Sequence, residues 1–312
     1  MSMSTVTRSL KDRLKSVTDP RMTAQIRRSL PGVAAGLQRL GLYWPHDPDA
    51  RTYSRPVGTA AADLSLPMPP RSLWADYCTS AESYLASGRE DYETMRGILL
   101  DSGGKLEDCG RILDLGCAGG RMIRHLAEIA AGTQVWGCDI WADAIAWCQV
   151  NLSPPFWFAT TTVVPHLPFE DRSFGLVYCG SLFTHIDDLA EAWFSELHRI
   201  LKPGGFLYFS VNDRHAADVF EGKGNPASYA WYHERTGGRE NWEAFVASCS
   251  ADPEYQRFRQ GEAWMATLGR DGMAHVMWDT DVLTRHLSYG YMCRSVSPES
   301  YGHQTTVLLE RI

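Results

Sequence analysis

The chain contains 312 residues, of which 44% are hydrophobic and 21% are charged, and its formal net charge is −7 at pH 7. This composition is typical of a globular protein that buries a sizeable core in one large domain or in a core domain with additions. The negative charge argues against a general affinity for nucleic acid or for an anionic membrane. No apolar run approaches the roughly 20 residues that a membrane-spanning helix requires.

The first 73 residues are predicted to form an extension outside the main core. Residues 1 to about 40 have a helical apolar stripe, and the proline-rich residues 44–72 indicate an extended connector. The beginning of the sequence lacks the apolar segment of a secretion signal, and the eight cysteines include no C-x-x-C pair. We therefore expect a cytoplasmic protein with reduced thiols, with an organelle transit peptide as the alternative for the locally basic start.

Helices and strands are predicted to alternate further along the chain. A helical region from Trp74 to about Gly103 is interrupted near Ser87 and Gly88. The predicted strands are "RILDLG", "QVWGCDI", "FGLVYCGS", "FLYFSVN", "SVSPES" and "TTVLLERI", and the predicted helices are "RMIRHLAEIA", "ADAIAWCQVNL" and "DDLAEAWFSELHRIL". This alternation predicts a doubly wound α/β fold with a largely parallel sheet covered on both faces.

The alternation stops between about residues 213 and 273. This segment is helix-prone and rich in aromatic residues, namely Tyr229, Trp231, Tyr232, Trp242, Phe245, Tyr255, Phe258 and Trp264. We expect an insertion that packs over one end of the sheet. Its rings are expected to build the insertion's own core, with closure over an apolar acceptor as the alternative.

A glycine-rich turn follows the first predicted strand and is preceded by an acid. Gly116, Gly119 and Gly120 are too closely spaced for the dinucleotide fingerprint G-x-G-x-x-G, and Ala118 stands where its second glycine belongs. Asp114, two residues before the turn, would repel a pyrophosphate. The pattern instead favours a ligand with a positive charge near the loop.

S-adenosylmethionine is such a ligand, because it carries a cationic amine, a sulfonium and a ribose but no phosphate. A second acid, Asp139, ends the next predicted strand 23 positions after Gly116. This is about the distance at which an acid accepts hydrogen bonds from ribose hydroxyls, although a strand-end aspartate can also cap a turn or helix. Ile140 follows directly and is expected to pack on the adenine.

Four motifs, "LDLGCAGGR", "GCDI", "LPFEDRSFGLVYCGSLFTHI" and "LKPGGFLYFSV", occur in an order that resembles the class I, Rossmann-like SAM-dependent methyltransferases of the bacterial small-molecule and glycan-type branch. The resemblance covers about residues 74–212, and "SPESYGHQTTVLLER" resembles the last two strands of that branch. It implies a seven-stranded, mostly parallel sheet with a reversed C-terminal strand, an N-terminal helical extension and a helical lid insertion. The implied boundaries are 1–73, 74–212, 213–273 and 274–312.

The resemblance also implies which residues hold the cofactor. The methionine part would contact Asp114, Gly116, Cys117, Ala118, Gly119 and Gly120. Asp139 would bind the ribose and Ile140 would flank the adenine, while Cys179, Gly180, Ser181 and Phe183 would line the wall nearest the sulfonium. Ala118 and Gly175 depart from the usual glycine and aspartate of the family, and "TTTVVPH" lacks its acid beside the adenine.

Methyl transfer requires a general base only if the acceptor must lose a proton. His185 follows the strand nearest the sulfonium and is the first candidate, with bracing of the following helix as the alternative role. His215, Tyr232 and His233 are weaker candidates for contact with the acceptor. His275, Asp279 and Asp281 lie on one segment without a further ligand group, so no metal site is predicted.

The favoured function is transfer of a methyl group from S-adenosylmethionine to a small molecule, with a hydroxyl as the expected acceptor and S-adenosylhomocysteine as the product. A protein or tRNA methyltransferase is the alternative among enzymes. A cofactor-binding protein without turnover is the alternative of a different class. Neither nucleic acid nor a membrane is expected as a partner.

Overall fold

A computed structural model describes residues 66–74, 78–223, 239–269 and 274–312. The predicted N-terminal helix and most of the predicted connector therefore lie outside the described residues. The strands are β1 (Arg111–Leu115), β2 (Gln134–Asp139), β3 (Trp157–Thr160), β4 (Phe174–Cys179), β5 (Leu201–Val211), β6 (Met265–Leu268), β7 (His275–Trp278), β8 (Tyr291–Tyr301) and β9 (Gln304–Arg311). The α-helices are α1 (Ala81–Asp101), α2 (Ala142–Asn151), α3 (Ala190–Ile200), α4 (Arg214–Phe220), α5 (Arg239–Ala251), α6 (Pro253–Gln260) and α7 (Thr280–His286).

The central sheet has seven strands in the order β3-β2-β1-β4-β5-β9-β8. Strands β3, β2, β1, β4 and β5 are parallel, whereas β9 runs antiparallel to both of its neighbours, β5 and β8. Every residue of β4 is buried, as expected for an inner strand covered on both faces. The predicted mostly parallel sheet with a reversed C-terminal strand is confirmed.

Apolar cores lie on both faces of the sheet. On one face, strand side chains pack against α3 through residues such as Trp193, Phe194 and Leu197. On the other face they pack against α1, through residues that include Met95, and against α2, through residues that include Ile145. Parallel strands with both faces buried bring all their carboxyl ends to one edge, where ligands bind in this architecture.

Two helical segments differ from the prediction. Helix α1 begins with a capping box at Ser80 and continues without interruption through Gly88. A Cβ atom on Gly88 would lie 2.3 Å from the carbonyl oxygen of Arg121, so this glycine permits close packing and does not break the helix. The predicted helix "RMIRHLAEIA" forms two 3₁₀ turns, Ile123–Leu126 and Ile129–Ala131.

The segment predicted to be an insertion contributes residues 213–223 and 239–269, with α4, α5, α6 and β6, to the described structure. Its apolar side chains form a cluster with Met277 of β7, and the other members are Ala217, Phe220, Cys249, Tyr255, Phe258, Ala266 and Leu268. Strand β6 pairs antiparallel with β7, so a two-stranded sheet crosses the boundary predicted at residue 273. Tyr255 and Phe258 are buried in this cluster, which accounts for two of the aromatic residues in the segment.

Candidate active site

The carboxyl ends of β1, β2 and β4 bring the predicted cofactor residues to one edge of the sheet. Asp114 pairs in register with Gly137 on β2 and with Tyr178 on β4. Asp139 is the last residue of β2, and Gly180 directly follows β4. The spatial grouping expected from the sequence is therefore present.

The glycine loop turns sharply between β1 and the 3₁₀ turn Ile123–Leu126. Gly116 and Gly120 have φ values of +86° and +83°, which glycine adopts without strain. Ala118 has a φ of 44°, so it occupies a conformation in which glycine is usual. The backbone N–H groups of Gly116 and Cys117 both donate to the carbonyl oxygen of Cys138, at 2.7 and 3.1 Å, and thereby fix the loop to β2.

A segment before α1, residues 66–74, packs against this loop. A Cβ atom on Gly119 would lie 2.6 Å from the carbonyl oxygen of Leu73, so a side chain here would force the two segments apart. The buried guanidinium of Arg124 donates to the carbonyl oxygens of Leu66, at 3.1 Å, and Pro67. Sequence reasoning assigned this segment to a connector, because its role depends on contacts with residues far along the chain.

Asp139 holds the glycine loop from the neighbouring strand. Its Oδ2 accepts a hydrogen bond from the N–H of Ala118, and its Oδ1 accepts one from the N–H of Trp141, both at 2.8 Å. Burial raises the pKa of Asp139, and these backbone donors oppose the shift. A carboxylate can accept about four hydrogen bonds, so bracing the loop is compatible with binding a ribose. Ile140 beside it is 44% exposed.

Asp114 is a buried carboxyl group at the end of β1, with 4% of its surface exposed. Burial raises its pKa to about 7 against the opposing influence of the Tyr178 phenol. The negative charge of Asp139 adds to the rise, and the Arg121 guanidinium opposes it. A cation next to such a group favours its ionised form, so the site suits a ligand with a positive charge.

The end of β4 is held by a polar network. The N–H of Ser181, a residue with a φ of 53°, donates to the Oγ of Ser210 at 2.7 Å. Gln304 donates from its Nε2 to the Oγ of Ser181 at 2.8 Å. Cys117 and Cys179 are both buried.

Phe183, expected in the cofactor wall, packs within the core. Its side chain is fully buried and stacks on Phe194 with ring centroids 4.2 Å apart and an interplanar angle of 4°. A second contact joins it edge-on to Phe209 at 5.3 Å. The loop after β4 thus turns this ring back into the core, because an aromatic side chain gains most by leaving water.

His185 joins the loop after β4 to β7. Its Nδ1 lies 2.7 Å from the carbonyl oxygen of Ala274, and the neighbouring carbonyl of Thr184 accepts a hydrogen bond from the N–H of Val276. A carbonyl can only accept, so Nδ1 carries the hydrogen and the lone pair of a neutral ring is on Nε2. Burial lowers the pKa of His185, which favours this neutral form.

Of the three weaker candidates for contact with the acceptor, His215 alone lies among the described residues. The Nε2 of His215 lies 3.1 Å from the Oε1 of Glu299, which links α4 to β8. Tyr232 and His233 lie outside the described residues.

Asp279, one of the three residues considered for a metal site, has a structural role. It caps α7 through the N–H of Val282 and forms an ion pair with Arg214.

Among the residues that the structure describes, no three histidine, cysteine, aspartate or glutamate side chains group closely enough to hold a metal ion. None of the helices described has both the length and the apolar character needed to cross a membrane.

Residues 113–209 match the family model of a methyltransferase domain. The ubiquinone biosynthesis O-methyltransferase of Paracidovorax citrulli is 28% identical over 110 residues, which cover 34% of this chain and 45% of that protein. A demethylmenaquinone methyltransferase of Chlorobaculum tepidum is 34% identical over 98 residues, which cover 31% of this chain and 39% of that protein. The chain thus spans less than half the length of either relative.

Among solved structures, the magnesium protoporphyrin IX methyltransferase of Synechocystis is similar to this chain with a TM-score of 0.48 and 15% sequence identity. The similarity covers 78% of this chain and 92% of that one.

Proposed function

We propose, on the premise that residues 113–209 form a methyltransferase domain, that this chain transfers a methyl group from S-adenosylmethionine to a hydroxyl group of a small molecule. The observation that carries the proposal is the pair of acids, Asp114 and Asp139, on either side of a left-handed glycine loop. S-adenosylhomocysteine is the expected second product. The name of the Paracidovorax relative, an O-methyltransferase, supports a hydroxyl acceptor.

The side chains present suit each part of the cofactor. Asp114 would pair with the cationic amine, because a buried carboxylate is stabilised by an adjacent positive charge. Backbone N–H groups of the loop would bind the cofactor's carboxylate, as at other anion-binding turns. Asp139 would accept from the ribose hydroxyls, and the exposed face of Ile140 would cover the adenine.

The cofactor, when bound, supplies a methyl group on a sulfonium leaving group. The chain must then position the acceptor, exclude water and, for a hydroxyl, remove a proton. We assign proton removal to Nε2 of His185. The contact of its Nδ1 with Ala274 orients the ring and sets the tautomer, so bracing and base catalysis are compatible in this residue.

Calorimetry tests the cofactor assignment directly. S-adenosylmethionine and S-adenosylhomocysteine should bind, whereas NAD should not, because its pyrophosphate would face Asp114. Tight binding of NAD without binding of S-adenosylmethionine would refute the proposed function.

The role of His185 is tested by the substitution His185→Asn, which keeps a side-chain N–H donor near the position of Nδ1 and removes the base. We expect kcat to fall about 10²–10⁴-fold for a hydroxyl acceptor and to recover as the pH rises and the acceptor ionises. His185→Ala removes both the base and the brace and should also lower the melting temperature. A kcat of His185→Asn within threefold of wild type, with the same pH profile, would exclude the base.

A further inference from the structure

The C-terminal hairpin contributes a side chain to the end of β4. A Cβ atom on Gly180 would lie 2.4 Å from both Cζ and Oη of Tyr301. The phenol of Tyr301 therefore fills the position that a side chain at residue 180 would occupy. Gly180 lies in the wall proposed to be nearest the sulfonium, so Tyr301 supplies this wall with its polar group.

Buried charges fix the position of this phenol. Arg121 donates from its Nη2 to the Tyr301 hydroxyl oxygen, and the guanidinium carbon lies 5.5 Å from the centre of the phenol ring. The other terminal nitrogen of Arg121 forms an ion pair with Asp91 on α1 at 2.6 Å and a hydrogen bond with Ser87 at 3.3 Å. These contacts hold the ring between α1 and β4.

The charged side chains around Tyr301 favour a cation as the neighbouring ligand. Asp91 compensates the positive charge of Arg121, so the guanidinium presents little net repulsion to a sulfonium. The buried carboxyl of Asp114, in register with Tyr178 on β4, adds negative charge two residues before Gly180 along the sheet. The hydroxyl oxygen of Tyr301 is an electron-rich atom within these surroundings.

We propose that the Tyr301 hydroxyl contacts the methyl group on the sulfonium of S-adenosylmethionine and thereby distinguishes it from S-adenosylhomocysteine. The inference rests on the proposed function, because it needs the cofactor to bind at the end of β4. A methyl group on a sulfonium carries part of the positive charge, so its C–H bonds point favourably at an oxygen. S-adenosylhomocysteine has neither this methyl group nor the charge.

The substitution Tyr301→Phe keeps the ring at Gly180 and removes the oxygen. Calorimetry should show that the Kd of S-adenosylmethionine rises about two- to fivefold, while the Kd of S-adenosylhomocysteine stays the same. Tyr208→Phe is the matched control, because it removes a fully buried phenol oxygen from the core cluster that also contains Tyr301 and should leave the ratio of the two Kd values unchanged.

The outcomes separate the two proposals. An unchanged ratio in Tyr301→Phe would overturn the assignment of Tyr301, whereas a wild-type chain that binds neither ligand would overturn the proposed function itself. If Tyr301→Phe does not fold, the wild-type chain still provides a test. Sinefungin, which has an amine in place of the methyl sulfonium, should bind at least about tenfold more tightly than S-adenosylhomocysteine through a charge-assisted hydrogen bond. Equal affinity for these two ligands would overturn the assignment.

Discussion

The buried carboxyl of Asp114 predicts that cofactor affinity changes with pH near neutrality. In the protein without ligand, burial raises the pKa of this group to about 7. The cationic amine proposed to lie beside it would stabilise the ionised form and lower the pKa in the complex. Binding therefore favours the ionised carboxylate and should release a proton wherever the free group is still protonated.

The size of the effect follows from the fraction of Asp114 that is ionised. With a pKa of about 7, roughly nine-tenths of the carboxyl groups are ionised at pH 8 and one-tenth at pH 6. The affinity for S-adenosylmethionine should consequently be about tenfold lower at pH 6 than at pH 8. About half a proton should be released per ligand bound at pH 7.

Calorimetry in buffers of different ionisation enthalpy measures both the affinity and the number of protons released on binding. 5′-Methylthioadenosine is the control ligand, because it has the adenosine and the sulfur but no amine, and its affinity should stay nearly constant over this range. Asp114→Asn should remove the pH dependence and weaken binding at pH 8 by about 1.5–3 kcal/mol, the range for a hydrogen bond to a charged group. The reasoning would be refuted if the Kd changed equally with pH for both ligands, or equally for wild type and Asp114→Asn.

Two further predictions concern stability. Burial lowers the pKa of His275 to about 4, so its contribution to the free energy of unfolding is present above the ordinary pKa of 6.5 and is lost as the pH falls toward 4. Urea denaturation should show that the free energy of unfolding falls about 1–2 kcal/mol less for His275→Gln than for wild type between pH 7 and pH 5. An equal fall for both proteins would contradict this cause. Gly119→Ala should cost about 1–3 kcal/mol, because its Cβ would lie 2.6 Å from the carbonyl oxygen of Leu73, whereas Gly132→Ala meets nothing within 4 Å. Equal melting temperatures for these two variants would show that residues 66–74 can move away from residue 119 without loss of stability.

The sheet and the glycine loop could be predicted from the sequence because both depend on local patterns. Apolar runs such as "FGLVYC" mark strands that are buried on both faces, and left-handed turns select residues such as Gly116 and Gly120. The resemblance to methyltransferases, which rests on the same motifs, is confirmed by the domain match over residues 113–209.

The direction of individual side chains could not be predicted in the same way. Phe183 follows a strand end in the sequence, but stacking on Phe194 in α3 turns it into the core. Gly88 indicates a helix break in the sequence, whereas in the structure the carbonyl oxygen of Arg121 packs against it within a continuous helix. The contact between Arg121 and Tyr301 joins residues 180 positions apart, a separation over which no local pattern carries information.

The position of β9 between β5 and β8 constrains the order of folding. Strand β9 pairs with β8, its neighbour along the chain, and with β5, which lies much earlier in the chain. Such pairing between distant segments forms slowly, because the entropy of loop closure is lost before the contacts are gained. Tyr301 ends β8 at the turn into β9. The wall at Gly180 is therefore completed only when this hairpin docks on β5.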